Sequence, residues 1–204
     1  MTTANPLIED QVATSMRSVR QRHLLLTFAM AVSLAGCRGP LILSEYGALY
    51  GALGPQVPYR RPGPHAGVDF GGNFGDPVIA AANGEVSRLI SAPESCGTGV
   101  VIRHREFERH TVYCHLEELL VGPFQQVKRG EPIGRMGDSG NARDCRRVRP
   151  CPHVHLELTA SETGHVAVSG VTFDPMASSA GCFDSMKTYP TDRLVLTYPV
   201  RCKN

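Results

Sequence analysis

Beyond residue 60 the apolar residues come in short runs separated by glycine, proline and small polar residues, the pattern of short strands joined by turns. Val78-Ile79-Ala80-Ala81 leads into an Asn83-Gly84 turn, and Glu85 to Ile90 follows as a strand. Gly99 to His104 and Thr111 to Leu116 are two β-rich runs, with the polar stretch between them as a hairpin loop. Gln126 to Gly130 and Pro132 to Gly134 read as short strands or turns. His153 to Thr159 is a further strand, Val166 to Phe173 another, and Asp192 to Cys202, with Leu194-Val195-Leu196, an edge strand. No segment of ordinary helix length shows a 3.6-residue period; Leu116 to Leu120 is at most one helical turn. There is no internal repeat. With Gly 21, Pro 15 and 42% hydrophobic residues in a chain of 204, the expectation is one β-rich domain with appendages.

The N-terminal region differs. Arg17, Arg20 and Arg22 precede an apolar stretch from Leu24 to Leu34, which has signal-peptide length and is short for a membrane span. It ends in Leu34-Ala35-Gly36-Cys37, which resembles the lipobox of bacterial lipoproteins, where cleavage precedes the cysteine and the cysteine is lipidated. The alternative is an ordinary secretory signal with an incidental cysteine. The expectation is a signal region at 1–36, with Met16 as the working start, a lipidated Cys37 with a tether at 37–58, a domain at 59–178 and a C-terminal tail at 179–204. Removing residues 1–36 takes away three Arg, one Glu and one Asp, leaving 18 basic and 17 acidic residues and a net charge of +1. That balance gives no argument for nucleic-acid binding.

Export bears on the cysteines. Beyond Cys37 there are six, Cys96, Cys114, Cys145, Cys151, Cys182 and Cys202, and an even number in an exported chain reads as disulfides, with 15 possible connectivities. Cys145 with Cys151 would close a small loop before the His153 strand, Cys182 with Cys202 would staple the tail, and Cys96 with Cys114 would remain. No C-x-x-C pair is present to favour a cysteine-ligated zinc site.

The candidate chemistry lies in histidines. Side chains alternate along a strand, so His153 and His155 share a face, about 7 Å apart, while Val154 points into the core. With 8 His in 204 residues a chance H-x-H occurs in roughly one such chain in three. His65 and Asp69, four apart on a loop entering a strand, can converge on one point, again a common spacing. His115 lies inside an apolar run, where a satisfied core histidine is the ordinary outcome. The conjunction is less ordinary: three strands supply imidazoles and a carboxylate, all proper zinc donors, and five candidates exceed the three protein ligands of a catalytic zinc.

In this order, His65-x-x-x-Asp69, Tyr113-x-His115-Leu116 and His153-x-His155, the chain resembles the lysostaphin-like zinc endopeptidases, the β-lytic metallopeptidase family. Gly67-Val68-Asp69-Phe70, Gly75-Asp76-Pro77-Val78, Ala80, Gly84-Glu85-Val86, Gly130-Glu131-Pro132-Ile133-Gly134, Gly137, Ser139-Gly140, Pro152 to Glu157 and Phe173-Asp174-Pro175 carry the likeness over about residues 60–176. The resemblance implies an all-β, antiparallel, sandwich-like single domain with an open active-site groove. It implies one zinc ion per chain held by His65, Asp69 and His155, with His115 and His153 as the catalytic pair. The substrate it implies is the peptide part of peptidoglycan, acted on by a monomer. A lipid-anchored form would be placed beside that substrate. Arg38 is not the aspartate associated with inner-membrane retention, so in a two-membrane envelope the expected anchor is the periplasmic face of the outer membrane. The competing expectation is a non-catalytic envelope lipoprotein that binds peptidoglycan or activates a separate hydrolase.

Several residues stand outside the family pattern. Cys114 replaces a usually small residue and, bonded to Cys96, would brace the strand carrying His115. Residues 142–150, with Arg143, Arg146, Arg147 and Arg149, read as an inserted solvated loop, the alternative being a clamp for substrate carboxylates. His104, His110 and His165 lack partner motifs and are expected at the surface. Glu157 shares a face with His155 by period two, where a carboxylate can orient a ligating imidazole.

Overall fold

The computed structural model describes residues 39–48, 50–52, 58–60, 64–142, 152–160 and 171–202. Cys37, Cys145, Cys151, His165, the arginines of 143–149 and the signal region lie outside the described residues. Twelve strands are assigned: β1 Leu41–Ser44, β2 Tyr50–Ala52, β3 Pro58–Arg60, β4 Gly67–Gly71, β5 Pro77–Ile79, β6 Gly84–Ala92, β7 Gly97–His104, β8 Arg109–Leu119, β9 Gln126–Val127, β10 Pro132–Met136, β11 His153–Thr159 and β12 Thr172–Phe173. The helical structure among the described residues is limited to 3-10 turns, at Arg105–Phe107 and at residues 140–142. The fold is all-β. Ten strands form one antiparallel sheet with the central order β1-β4-β11-β8-β7-β6-β9, with β10 bridging β5 and β8 and β12 flanking β11, while β2 and β3 form a separate hairpin.

The alternation read from the sequence sets the two faces. Val154 and Leu156 are buried in the main core with Val68, Phe70, Val100, Ile102, Tyr113 and Leu116. The C-terminal segment covers this layer: Leu196 and Val200 join the core, and Tyr198 packs on Phe70 with ring centroids 5.5 Å apart. This segment forms isolated bridges, Val78 with Val200 and Ser179 with Leu196, rather than the expected edge strand. A disulfide joins Cys182 to Cys202. On the other face Ile90, Cys96, Val101, Val112 and Cys114 form a smaller cluster, and Cys96 and Cys114 are bonded.

Three local expectations differ from the structure. Residues 41–44, read as part of a tether, pair with β4 as an edge strand, Leu41 opposite Gly71 and Ile42 opposite Phe70. Leu116 to Leu119 continues β8 instead of turning into helix, because β10 pairs with it, Gly134 opposite Leu119. His104 and His110 are buried, at 2% and 8% exposure, and not surface residues. The hairpin loop between β7 and β8 is only the 3-10 turn and Glu108, so both histidines fall inside the ladder, Arg103 opposite His110.

His104 also closes a buried polar chain. Its Nδ1 donates to the Asn83 carbonyl at 2.7 Å, and its Nε2 stands 2.9 Å from the Thr111 hydroxyl. That hydroxyl is hydrogen-bonded at 3.2 Å to the Tyr113 hydroxyl, which accepts from the Ala81 amide at 2.8 Å. Burial, aided by the neighbouring charges of His110 and Arg129, pushes the His104 imidazole down to about 4. In the unfolded chain it titrates near its ordinary value of about 6.5. The unfolded state therefore takes up a proton first, and stability falls as pH drops from 6.5 towards 4, then levels. The expected loss is about 3 kcal/mol at most from this group. Urea unfolding of wild type and His104→Gln across that window should show the variant with a correspondingly shallower pH slope.

Candidate active site

Strand β11 sits between β4 and β8, and its register decides which residues meet. His155 lies opposite Asp69 on β4 and opposite Cys114 on β8, and Glu157 lies opposite Gly67 and Val112. His65 enters from the loop before β4. Its Nδ1 donates to the Glu45 carbonyl at 2.9 Å, with the Ser44 hydroxyl 3.3 Å away. A carbonyl can only accept, so His65 Nε2 carries the lone pair. It points to His155 Nδ1 at 2.9 Å and Asp69 Oδ1 at 3.2 Å. On the far side of His155, Nε2 donates to Glu157 Oε1 at 3.1 Å, which leaves Nδ1 as the inward atom, 2.8 Å from Asp69 Oδ1.

These three atoms face one another in a buried site, where either a proton on His155 Nδ1 or a bound cation can sit between them. Donors around a tetrahedral zinc stand about 3.3 Å apart, close to these separations. Two imidazole nitrogens and a carboxylate oxygen form a zinc donor set that leaves one position for water. His65, Asp69 and His155 are also the one group of potential metal ligands that converges among the described residues. The residues present therefore fit the ion. Without a metal, a proton on His155 takes that place. Burial by itself would raise the Asp69 carboxyl, yet hydrogen bonds from His155 and His65 hold it well below the usual carboxylate range. Burial would lower His155, but hydrogen bonds to Asp69 and Glu157 raise it to about 9. Gly67 makes room for this arrangement: a Cβ there would stand 2.3 Å from the Leu156 carbonyl oxygen and 2.9 Å from His155 Nε2.

His115 and His153 adjoin the cluster. Their ring centroids are 4.8 Å apart, and His115 is 6.0 Å from His155. His115 reaches this place through a bulge. On β7 Thr98 and Val100 are two apart, but their partners Leu116 and Tyr113 on β8 are three apart. The extra residue puts His115 at φ 67°, a left-handed conformation uncommon for a residue with a side chain. The bulge is fixed twice: the His115 amide donates to the Cys96 carbonyl at 2.9 Å, and Cys96 is disulfide-bonded to Cys114. The His115 Nδ1 donates to the Ser139 carbonyl at 2.8 Å, leaving the Nε2 lone pair open. Burial first, then the charges of His153 and His155, hold this imidazole well below its ordinary value, so it stays neutral.

The structure therefore brings all five candidates, His65, Asp69, His115, His153 and His155, to one end of the β4-β11-β8 strip. Of the residues that aim them, sequence reasoning found Glu157 and missed the others. Ser139 was visible only as part of the Ser139-Gly140 pair, and Ser44 and Glu45 lay in a stretch with no periodicity.

The sequence model of peptidase family M23 matches residues 63–169. The chain belongs to peptidase family M23. The family is zinc-dependent. The fold is that of the catalytic domain of lysostaphin from Staphylococcus simulans, with a TM-score of 0.53 at 23% identity over 68% of this chain and 90% of that one. Among curated proteins, this M23 chain is 36% identical over 99 residues to peptidoglycan DD-endopeptidase ShyA of Vibrio cholerae, covering 48% of this chain and 21% of ShyA. It is 32% identical over 80 residues to murein hydrolase activator NlpD of Escherichia coli, covering 39% of this chain and 21% of NlpD. The matched segments span only about a fifth of these relatives.

Two outcomes follow from the geometry of this M23 site. Glu157→Gln removes the carboxylate that fixes the His155 tautomer, so zinc affinity should fall about 10- to 100-fold, read by competition with a chromophoric chelator. Removing the cross-link with Cys96→Ala and Cys114→Ala together should lower stability by about 3 kcal/mol, read by urea unfolding under oxidising conditions.

Proposed function

We propose that this protein is a zinc-dependent endopeptidase that hydrolyses peptide bonds in peptidoglycan, with His65, Asp69 and His155 as the metal ligands and His115 and His153 as the catalytic pair. The observation that carries this reading is the complete set: three inward-facing ligand atoms and, beside them, a neutral histidine with an open nitrogen. The 36% likeness to a peptidoglycan DD-endopeptidase supports the substrate class.

Bound zinc would supply a Lewis acid and a water acidified to near neutral pH. The protein's own residues do the rest. His65 and His155 are each held in one tautomer by Glu45 and Glu157, so their ligand nitrogens are presented without reorganisation. His115, fixed by Ser139, offers Nε2 to accept a proton from the attacking water as general base. His153, across a 4.8 Å ring separation, is placed to donate to the oxygen that gains charge at the scissile carbonyl.

The N-terminal sequence supports export and lipidation at Cys37, on the periplasmic face of the outer membrane where the envelope has two membranes. A monomer suffices, since one chain supplies every member of the site. The likeness to a murein hydrolase activator favours a second reading, in which the same groove binds peptidoglycan and activates a separate enzyme.

The test is digestion of purified peptidoglycan by the oxidised protein, with released fragments identified by mass spectrometry. Cleavage of cross-linked peptides should require one zinc per chain, stop with a chelator and return with zinc. His115→Ala should lower the rate about 10²- to 10⁴-fold while zinc remains bound. Stoichiometric zinc with no cleavage, together with stimulation of a second hydrolase, would establish the activator reading instead.

A further inference from the structure

Three of the four polar atoms of His65 end on one short turn, Glu45-Tyr46-Gly47-Ala48. The His65 amide donates to the Ala48 carbonyl at 3.2 Å, and the His65 carbonyl accepts from the Gly47 amide at 2.8 Å. Ring Nδ1 donates to the Glu45 carbonyl at 2.9 Å. The fourth atom, Nε2, points into the ligand cluster. The turn is closed by the Ala48 amide on the Glu45 carbonyl at 3.3 Å. Gly47, its third residue, has φ 74°, and Tyr46 before it has a negative φ. That is a type II turn, whose third residue needs the left-handed region.

The same segment meets the strands of the other two ligands. Ser44 lies opposite Asp69 where β1 pairs with β4. The Tyr46 hydroxyl donates to the Thr172 carbonyl at 3.0 Å, and Thr172 of β12 pairs with Thr159 of β11, the strand that carries His155. Tyr46 also packs against the main core, so the turn is anchored at both ends. All of this precedes residue 63, where the match to the M23 sequence model begins.

We infer that the turn at 45–48 positions the first metal ligand, with Gly47 as the positioning residue, so that a segment outside the matched family region sets the zinc affinity. The inference rests on the reading of His65 as a ligand. Gly47 is a clean place to test it. A Cβ there would meet nothing within 4 Å, so a substitution has space and acts through φ alone. A β-branched residue escapes the left-handed region by converting the turn to type I, which turns the peptide between 46 and 47 over. The residue 47 amide then leaves the His65 carbonyl, and the imidazole is no longer presented without reorganisation.

The test titrates the oxidised, metal-free protein with zinc against a chromophoric chelator, and records the visible absorption of Co²⁺ bound in place of zinc. Gly47→Val should bind zinc about tenfold more weakly, with its cobalt absorption shifted towards that of His65→Ala. Gly47→Asn, which tolerates the left-handed region, should recover most of the affinity and the wild-type absorption. If circular dichroism shows Gly47→Val unfolded, Gly47→Ala takes its place in the same comparison. Wild-type zinc affinity in the folded variant, or weaker binding with unaltered cobalt absorption, overturns the positioning role. His65→Ala separates the two ideas. Full zinc affinity in His65→Ala removes the ligand reading itself, whereas loss in His65→Ala with none in Gly47→Val removes only the role of the turn.

Discussion

Everything at the active end of this protein depends on the pairing of β11 with β4 on one side and β8 on the other. Strand residues directly opposite one another stand within a few ångströms, so one register brings His155 against Asp69 and Glu157 against Gly67 at once. A slip of one residue would send His153, His155 and Glu157 into the apolar layer and Val154 and Leu156 into the groove. The hydrophobic layer thus protects the chemistry. Burial of Val154, Leu156, Val68 and Phe70 fixes the same register that brings His155 to Asp69.

The site is also held from behind. Each inward nitrogen is inward because the opposite ring nitrogen has an acceptor: Glu45 for His65, Glu157 for His155 and Ser139 for His115. Two of these acceptors are backbone carbonyls from segments distant in sequence. The edge strand β1 and the loop after β10 therefore set tautomers at the centre of the sheet. The left-handed bulge at His115 is the one strained element of this design, and the Cys96–Cys114 disulfide and the Cys96 carbonyl hold it in place.

The five site candidates were legible because strand periodicity places alternate residues on one face without reference to the rest of the fold. The signal from each motif alone was weak, and it became specific only as an ordered set. Of the aiming residues only Glu157 was legible, through its period-two spacing from His155. Ser44 and Glu45 act through a backbone carbonyl and a hydroxyl in a segment without periodicity, and any residue offers a carbonyl. His104 and His110 were misplaced for a related reason. Polar residues near a turn read as solvent-exposed unless the ladder is known to continue past them, and here it runs to His104 and Arg109.

The sequence by itself determined the β-rich class, the alternation of core and groove along β11, the set of donor side chains and the supply of cysteines for disulfides, because these follow from local pattern and residue chemistry. Only the tertiary structure decided that His65 from a loop, Asp69 from β4 and His155 from β11 meet at one place, that the stretch read as a tether supplies an edge strand and a tautomer-fixing carbonyl, and that the C-terminal segment covers the core. Those facts depend on contacts between residues far apart in sequence, where no local period carries information.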